Sequence, residues 1–272
     1  MVRVLLLTTL FFASLNASLL TSKIESLIGK DNYAKNRSFI KIIFSDEKSY
    51  YSNSSLDSVK VIETLKENGL LNLFFKKPKT FEITFSTNGV PLFFVKLMSD
   101  TLRSMGYYRY ITKSSNLNSS EFSWTVAIKS EYATDPLSLR KELAKRGCSI
   151  VDIERISGDK WHYSIDMRYA KLKTKKILQD EVKILKHANQ DYWVDVSKIK
   201  KLTIWSLKGN TWYPYISYYD KHMRLLKVYK RDHKTWQITI NLPQECVYVK
   251  LSDLYSLKNI KGGLKLKAIG QK

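Results

Sequence analysis

The chain has 272 residues and a formal net charge of +21, from 46 basic and 25 acidic side chains. An apolar content of 44% excludes an intrinsically disordered protein, and the length allows two or three modules with their own cores. This charge predicts an anionic partner. However, 36 of the 46 basic residues are lysine, so the codon bias of an AT-rich genome is an equally good explanation for part of it.

The first eighteen residues have the pattern of a secretory signal peptide. Arg3 supplies a positive charge, Val4 to Phe12 form an apolar run, and small residues lead to a cleavage point near Ala17 or Ser18. The run is too short for a membrane-spanning helix, which needs about 20 apolar residues. The sequence therefore predicts a periplasmic or secreted bacterial protein with no transmembrane span after the leader is removed.

Residues 19–168 contain three segments that each predict a helix followed by a β-hairpin. Each helical pattern ends in Leu-x-x-x-Gly, because glycine adopts the left-handed helix stop at least cost. The glycines are Gly69, Gly106 and Gly147. The second strand of each hairpin alternates apolar with polar residues after an aromatic one, at Phe81, Trp124 and Trp161.

Two further elements complete this predicted region. Residues 39–44 are expected to form an initial strand, and Lys76 to Lys79 are expected to form the turn of the first hairpin. Tandem βαββ-like modules of this kind resemble, in architecture only, the docking units of bacterial envelope assemblies. That resemblance implies protein–protein contacts.

Residues 169–192 are rich in lysine and are predicted to form a basic linker. A solvated connector is the simplest interpretation, and a docking stripe for an anionic surface is the alternative. The candidates for contact with such a surface are Lys173, Lys175 and Lys176.

Residues 193–272 predict short strands separated by turns, which is typical of an antiparallel β-sandwich. The runs 212–220, 237–243 and 248–253 resemble the jelly-roll accessory domains of secreted bacterial proteins, of the galactose-binding-like and pre-peptidase C-terminal types. The resemblance covers about 70 residues without a diagnostic motif. It implies an accessory β-sandwich and carries over no sugar or calcium site.

Aromatic residues of this region could stack on sugar rings. Trp212, Tyr213 and Tyr215 lie next to a turn and are the candidate ligand-binding residues. Trp205 and Trp236 are expected in the core, and filling of the sandwich interior is the alternative for Trp212, Tyr213 and Tyr215.

No motif for catalysis, metal binding or a cofactor is recognised in the sequence. The four histidines lack zinc-ligand spacing, and no Walker, Gly-x-Ser-x-Gly or His-Glu-x-x-His pattern occurs. Cys148 follows Gly147 at an apolar position, which favours a buried free thiol over a disulfide with Cys246. We therefore expect neither an enzyme nor a bound cofactor or metal ion.

The sequence as a whole indicates an α+β protein with tandem helix–hairpin repeats followed by a β-sandwich. We expect a non-catalytic exported scaffold or adaptor that binds an envelope protein or an anionic glycan or surface, and no nucleic acid. The alternatives are a secreted lectin-like factor and, less favoured, a hydrolase whose carboxylate pair the sequence does not reveal.

Overall fold

The computed structural model describes residues 19–52, 55–172, 174–186 and 190–272. These residues form two compact units, one ending at Ala170 and one spanning Lys171–Lys272. The first contains helices and a mixed sheet, and the second is built almost entirely from strands. The predicted α+β class is therefore confirmed. The predicted leader, residues 1–18, lies outside the described residues.

The described part of the N-terminal unit contains six α-helices: α1 (19–28), α2 (Lys30–Lys35), α3 (Arg37–Ile43), α4 (Ser58–Glu67), α5 (Pro91–Ser104) and α6 (Pro136–Ala144). The predicted strand over residues 39–44 is wrong, because residues 39–43 belong to α3 and Phe44 is its C-cap. Ile40 and Phe44 are buried four residues apart, which is helical spacing, whereas Phe39 and Ile42 are exposed. No described helix is long and apolar enough to cross a membrane.

The helix ends follow the expected chemistry. The Asp135 carboxylate caps α6 by accepting the Leu137 N–H, and Pro91 is the first residue of α5. All three Leu-x-x-x-Gly glycines have positive φ angles. Position 147 requires glycine for two reasons: its φ angle is +70°, and a Cβ atom there would lie 2.0 Å from the Tyr169 carbonyl oxygen.

The N-terminal unit contains a β1–β2 pair (Tyr51–Ser52, Ser55–Leu56) and one five-stranded sheet, formed by β3 (Phe74–Thr87), β4 (Ile111–Leu117), β5 (Phe122–Tyr132), β6 (Ser149–Ser157) and β7 (Lys160–Asp166). The order is β4-β5-β3-β7-β6, and β3 runs parallel to β7 while the other pairs are antiparallel. The three predicted segments therefore share a single sheet. The first lacks a hairpin, because the expected turn at 76–79 lies inside the continuous strand β3.

The inward positions of the sheet match the predicted alternation. On each of the strands β3, β5 and β7, three alternating aromatic or aliphatic residues are buried. They are Phe81, Ile83, Phe85, Trp124, Val126, Ile128, Trp161, Tyr163 and Ile165.

The C-terminal unit contains nine described strands: β8 (Lys175–Lys176), β9 (Val182–Leu185), β10 (Tyr192–Asp195), β11 (Ile199–Ser206), β12 (Pro214–Tyr219), β13 (Leu225–Lys230), β14 (Gln237–Asn241), β15 (Tyr248–Asp253) and β16 (Leu264–Gln271). They form two sheets, ordered β13-β12-β15-β10-β8 and β14-β11-β16-β9. Apolar residues of both sheets share one buried cluster, so the unit is a two-layered sandwich.

This sandwich begins earlier in the chain than predicted. Residues 169–192 were interpreted as a linker, but β8 and β9 lie in this range and pair with β10 and β16. Cys148 and Cys246 are both buried free thiols and lie in different units.

Candidate functional site

The positive charge of the chain is concentrated in the C-terminal unit. Lys171–Lys272 contain 22 basic and 8 acidic residues, which gives +14 of the total +21. This unit has 102 of the 272 residues, so its charge density is far above that of the rest of the chain. Such a charge distribution attracts anions and is the first indication of where a ligand binds.

The four-stranded sheet of this unit turns one set of side chains outward. In β11, Leu202 and Ile204 are buried in the core, so the intervening Thr203 and the flanking Lys201 and Trp205 point away from it. Thr203 is itself buried, at 4% exposure, whereas Lys201 is exposed and Trp205 is partly exposed. In β16, the buried Leu264, Leu266 and Ala268 likewise alternate with exposed residues. In β14, Ile238 and Ile240 alternate with exposed polar ones.

We call the outward side of these three strands the basic face. Its members are Lys201, Thr203 and Trp205 on β11, Lys265, Lys267 and Ile269 on β16, and Gln237, Thr239 and Asn241 on β14. The strand register places Trp205 between Lys265 and Gln237, and Thr203 between Lys267 and Thr239. Cross-strand neighbours on one face of a sheet are in contact range, so these side chains form one continuous surface.

The basic face has no acidic residue. None of the strands β9, β11, β14 and β16 contains aspartate or glutamate. Lys201, Lys265 and Lys267 are exposed, and within the part of the chain that the structure describes they form no ion pair. Their charge is therefore not neutralised by a neighbouring carboxylate.

One aromatic ring lies at one end of this face, in the row of Lys265 and Gln237. Trp205 is partly exposed, and the Lys265 Nζ atom lies 5.5 Å from the centroid of its ring. Trp236, immediately before β14, is 56% exposed, with the Lys234 Nζ atom 4.6 Å from its ring centroid. The expectation that Trp236 belongs to the core was wrong, and Trp205 borders the solvent instead of filling the interior.

Buried polar contacts hold the face in shape. The Thr203 and Thr239 hydroxyls lie 2.9 Å apart across β11 and β14. The buried Asn210 side chain donates to the Gly263 carbonyl and accepts from the Gly262 N–H, both at 2.7 Å, at the entry to β16. Gly263 has a φ of +97°, and a Cβ there would lie 2.2 Å from the Leu185 carbonyl oxygen, so only glycine fits.

The residues predicted to bind a ligand lie elsewhere. Trp212 is fully buried in the core, where its Nε1–H donates to the Ser252 carbonyl at 2.9 Å, so its ring is not available to a sugar. Tyr213 packs edge-on against Tyr255, with 5.0 Å between ring centroids. Tyr215 lies on β12 of the other sheet, with the Lys250 Nζ atom 5.7 Å from its ring centroid.

Two of the three lysines predicted to contact an anionic surface lie on the other sheet. Lys175 and Lys176 form β8, the exposed edge strand of the five-stranded sheet, where they pair with Val194 and Asp195. Lys173 lies outside the described residues.

A hydrogen-bonded chain in the N-terminal unit resembles a catalytic arrangement that sequence patterns did not reveal. The Ser86 Oγ lies 2.9 Å from the His162 Nε2, and the His162 Nδ1 lies 3.6 Å from a Glu154 carboxylate oxygen. However, Ser86 has no exposed surface, and its hydroxyl also faces that of Ser164 at 3.4 Å. A nucleophile must reach the substrate, so this geometry does not support acyl transfer.

The described residues contain no group of three or more histidine, cysteine or acidic residues that could hold a metal ion. Comparison of the chain with protein-family models, with curated proteins and with solved structures found no match. No family is therefore assigned. The chain is an α+β protein with predominantly antiparallel sheets in its C-terminal unit.

Proposed function

We propose that this chain is a non-catalytic, exported protein of the bacterial envelope whose C-terminal sandwich binds an anionic glycan through the basic face. The observation that carries the proposal is the absence of any acidic residue from the four strands of that sheet, combined with three exposed lysines on the same face as a partly exposed tryptophan. The N-terminal unit serves as the scaffold that presents the sandwich and contacts an envelope protein.

The physical basis is electrostatic attraction followed by local contact. Unpaired lysines on a flat face generate a positive potential that draws in a polyanion, and this attraction weakens with salt because exposed charges are screened within about 10 Å at 0.1 M. The hydroxyl and amide groups on β14 then supply hydrogen bonds that an oligosaccharide can accept or donate.

Two further points support a binding role. The predicted leader implies export, where acidic polysaccharides and lipid-linked glycans are the abundant polyanions. The Ser86–His162–Glu154 chain, the arrangement closest to a catalytic triad, has its hydroxyl buried. A lectin-like factor released from the cell would use the same face, and only its final location would differ.

Charge neutralisation on the basic face tests the proposal. The variant Lys201→Gln/Lys265→Gln/Lys267→Gln removes three charges from the face. The matched control Lys30→Gln/Lys35→Gln/Lys41→Gln removes three charges from exposed positions on α2 and α3. Binding to immobilised polygalacturonate, with neutral dextran as reference, is measured at low and moderate salt.

We expect the face variant to lose at least about tenfold in affinity, which is about 1.4 kcal/mol, and the control to lose less than about threefold. Equal losses in both variants would show that only the net charge matters, and the proposed face would then be wrong. Export is tested separately by fractionation. A mature chain cleaved near residue 18 is expected outside the cytoplasm, and an intact chain in the cytosol would overturn this part of the proposal.

A further inference from the structure

We infer that the ligand of the basic face is a linear acidic polysaccharide that lies along β11, with one sugar ring stacked on Trp205. In this arrangement its anionic groups point toward β16 and its neutral hydroxyls toward β14. The inference rests on the proposed function and adds the ligand class, its orientation and the residue that distinguishes a sugar from any other polyanion.

The two sides of the face are chemically different. On one side of β11, strand β16 presents the cations Lys265 and Lys267. On the other side, β14 presents the uncharged side chains Gln237, Thr239 and Asn241, which donate and accept hydrogen bonds. Adjacent strands are about 4.8 Å apart, so the two columns are separated by about 10 Å, enough to hold one substituted sugar ring between them.

Trp205 lies between these columns. The register pairs it directly with Lys265 on one side and Gln237 on the other. The Lys265 ammonium 5.5 Å from the ring centroid shows that a cation reaches the indole. A sugar presents weakly positive C–H groups to an aromatic face, which is electron-rich, while its carboxylate can draw the Lys265 ammonium off the ring.

The spacing along the strands suits a repeating polymer. Lys265 and Lys267 are two residues apart on β16, which corresponds to about 7 Å, and the outward residues of β14 repeat at the same interval. Lys201 continues the charge along β11 beyond Thr203. A chain with regularly repeated carboxylates can therefore contact several of these groups at once.

A sugar is favoured over a nucleic acid because the strands of the basic face carry lysines on the β16 side of Trp205 and neutral side chains on the β14 side. A single-stranded nucleic acid is charged at every backbone unit and is typically bound by a basic groove with several stacking aromatics. Trp205 is the tryptophan on the strands of the face, whereas Trp236 and Lys234 precede β14. Binding of single-stranded DNA is nevertheless measured in the test.

The test compares tryptophan variants of the full chain by calorimetry with oligogalacturonate of defined length and with its carboxyl-reduced counterpart. Trp205→Leu removes the aromatic face but keeps an apolar side chain, whereas Trp205→Phe keeps a ring. Trp236→Leu is the matched control, because Trp236 is more exposed and also has a lysine over its ring. Circular dichroism verifies that each variant is folded.

We expect Trp205→Leu to weaken binding of the acidic oligomer at least about tenfold, with Trp205→Phe and Trp236→Leu within about threefold of the wild type. Carboxyl reduction should weaken wild-type binding by a similar factor. If Trp205→Leu binds normally while the lysine variant does not, the sugar-stacking inference fails and the polyanion proposal survives. If neither Trp205→Leu nor the lysine variant weakens binding, both the sugar-stacking inference and the polyanion proposal are wrong. If the wild type binds an oligothymidylate with equal affinity, the choice of a polysaccharide as the ligand is wrong.

Discussion

Replacing Lys23 by methionine should loosen α1 from the edge of the N-terminal sheet. The Lys23 Nζ donates to an Asp152 carboxylate oxygen at 2.8 Å and to the Ile153 carbonyl at 3.1 Å, both on β6. The Ser58 hydroxyl donates to the same Asp152 oxygen. The Lys23 and Asp152 side chains are 16% and 36% exposed, so this ion pair is partly shielded from water. Methionine keeps the apolar stem of the side chain and removes only the charge.

The expected cost can be estimated from these contacts. A hydrogen bond to a charged group contributes about 1.5–3 kcal/mol, and breaking a fully buried pair costs about 3–5 kcal/mol. Asp152 retains Ser58 and some contact with water, so we expect a loss of about 2 kcal/mol. In a unit of this size each kcal/mol corresponds to about 2–4 °C, which predicts a melting temperature lower by roughly 4–8 °C.

The pH dependence follows from Asp152. Burial alone would raise the pKa of this carboxyl group. The hydrogen bonds from Lys23 and Ser58, together with the Lys23 charge, lower the pKa by more than burial raises it, so the net pKa is below its usual value. The ion pair therefore stabilises the fold above the unfolded-state pKa of about 4, and the contribution is lost as the pH falls through the folded-state pKa. The difference between wild type and variant should shrink from pH 7 to pH 3.

Thermal and urea unfolding at both pH values measure this difference. Lys113→Met is the control, because Lys113 is more than half exposed and lies 4.0 Å from Glu82. We expect this control to lose less than about 0.5 kcal/mol. A Lys23→Met variant as stable as the control at pH 7, or a deficit that does not shrink on acidification, would refute this reasoning.

Three further predictions concern the cores. Burial raises the pKa of the Cys148 and Cys246 thiols to about 11. A thiol reagent at pH 8 should therefore label neither cysteine in the folded protein and both in denaturant. Finding one disulfide in place of two thiols would contradict this prediction. Gly263→Ala should destabilise by about 3 kcal/mol or more, or prevent folding, whereas Gly158→Ala, with open space around its Cβ, should be tolerated. Trp212→Phe should lower the free energy of unfolding in urea by about 2–3 kcal/mol and leave glycan affinity unchanged. A loss of glycan affinity without a loss of stability would instead show that Trp212 binds the ligand.

Local patterns predicted the parts of the fold that depend on neighbours in sequence. The glycine stops, the Asp135 cap and the aromatic-led strands β5 and β7 follow from helical and two-residue periods. The stretch over 39–44 was misread because its apolar residues are almost continuous, and only the burial of Ile40 with Phe44 reveals a helix.

Elements that depend on distant partners could not be predicted in this way. Strand β9 has four residues within a lysine-rich segment, and it is a strand because it pairs with β16, about 80 residues later. Strand β3 also depends on distant partners, since β5 pairs with Phe74 and again from Lys79 onward, and β7 pairs with residues 82–86. The interior position of Trp212 depends on the Ser252 carbonyl, also distant in sequence.

The outward residues of β11 on the basic face could have been predicted from the sequence. Leu202 and Ile204 are the apolar residues of β11, so the phase of the strand puts Lys201, Thr203 and Trp205 on the opposite side. The expectation that Trp205 fills the core rested on its alternation with polar neighbours, whereas Leu202 and Ile204 show that the core lies on the other side of the strand. What the phase alone could not show is that Lys265 and Gln237 flank that tryptophan, because strand order and register come from the fold.

Carbodiimide coupling is the most direct test of a polyanion on this face, because it forms an amide without a spacer and so reacts preferentially at lysine amines that a bound carboxylate contacts. The full chain is mixed with oligogalacturonate at moderate salt, coupled briefly, digested and analysed by mass spectrometry. We predict adducts concentrated on Lys265, Lys267 and Lys201, and competed away by unmodified oligomer. Adducts spread evenly over the lysines of both units, or centred on Lys175 and Lys176, would contradict the proposed face.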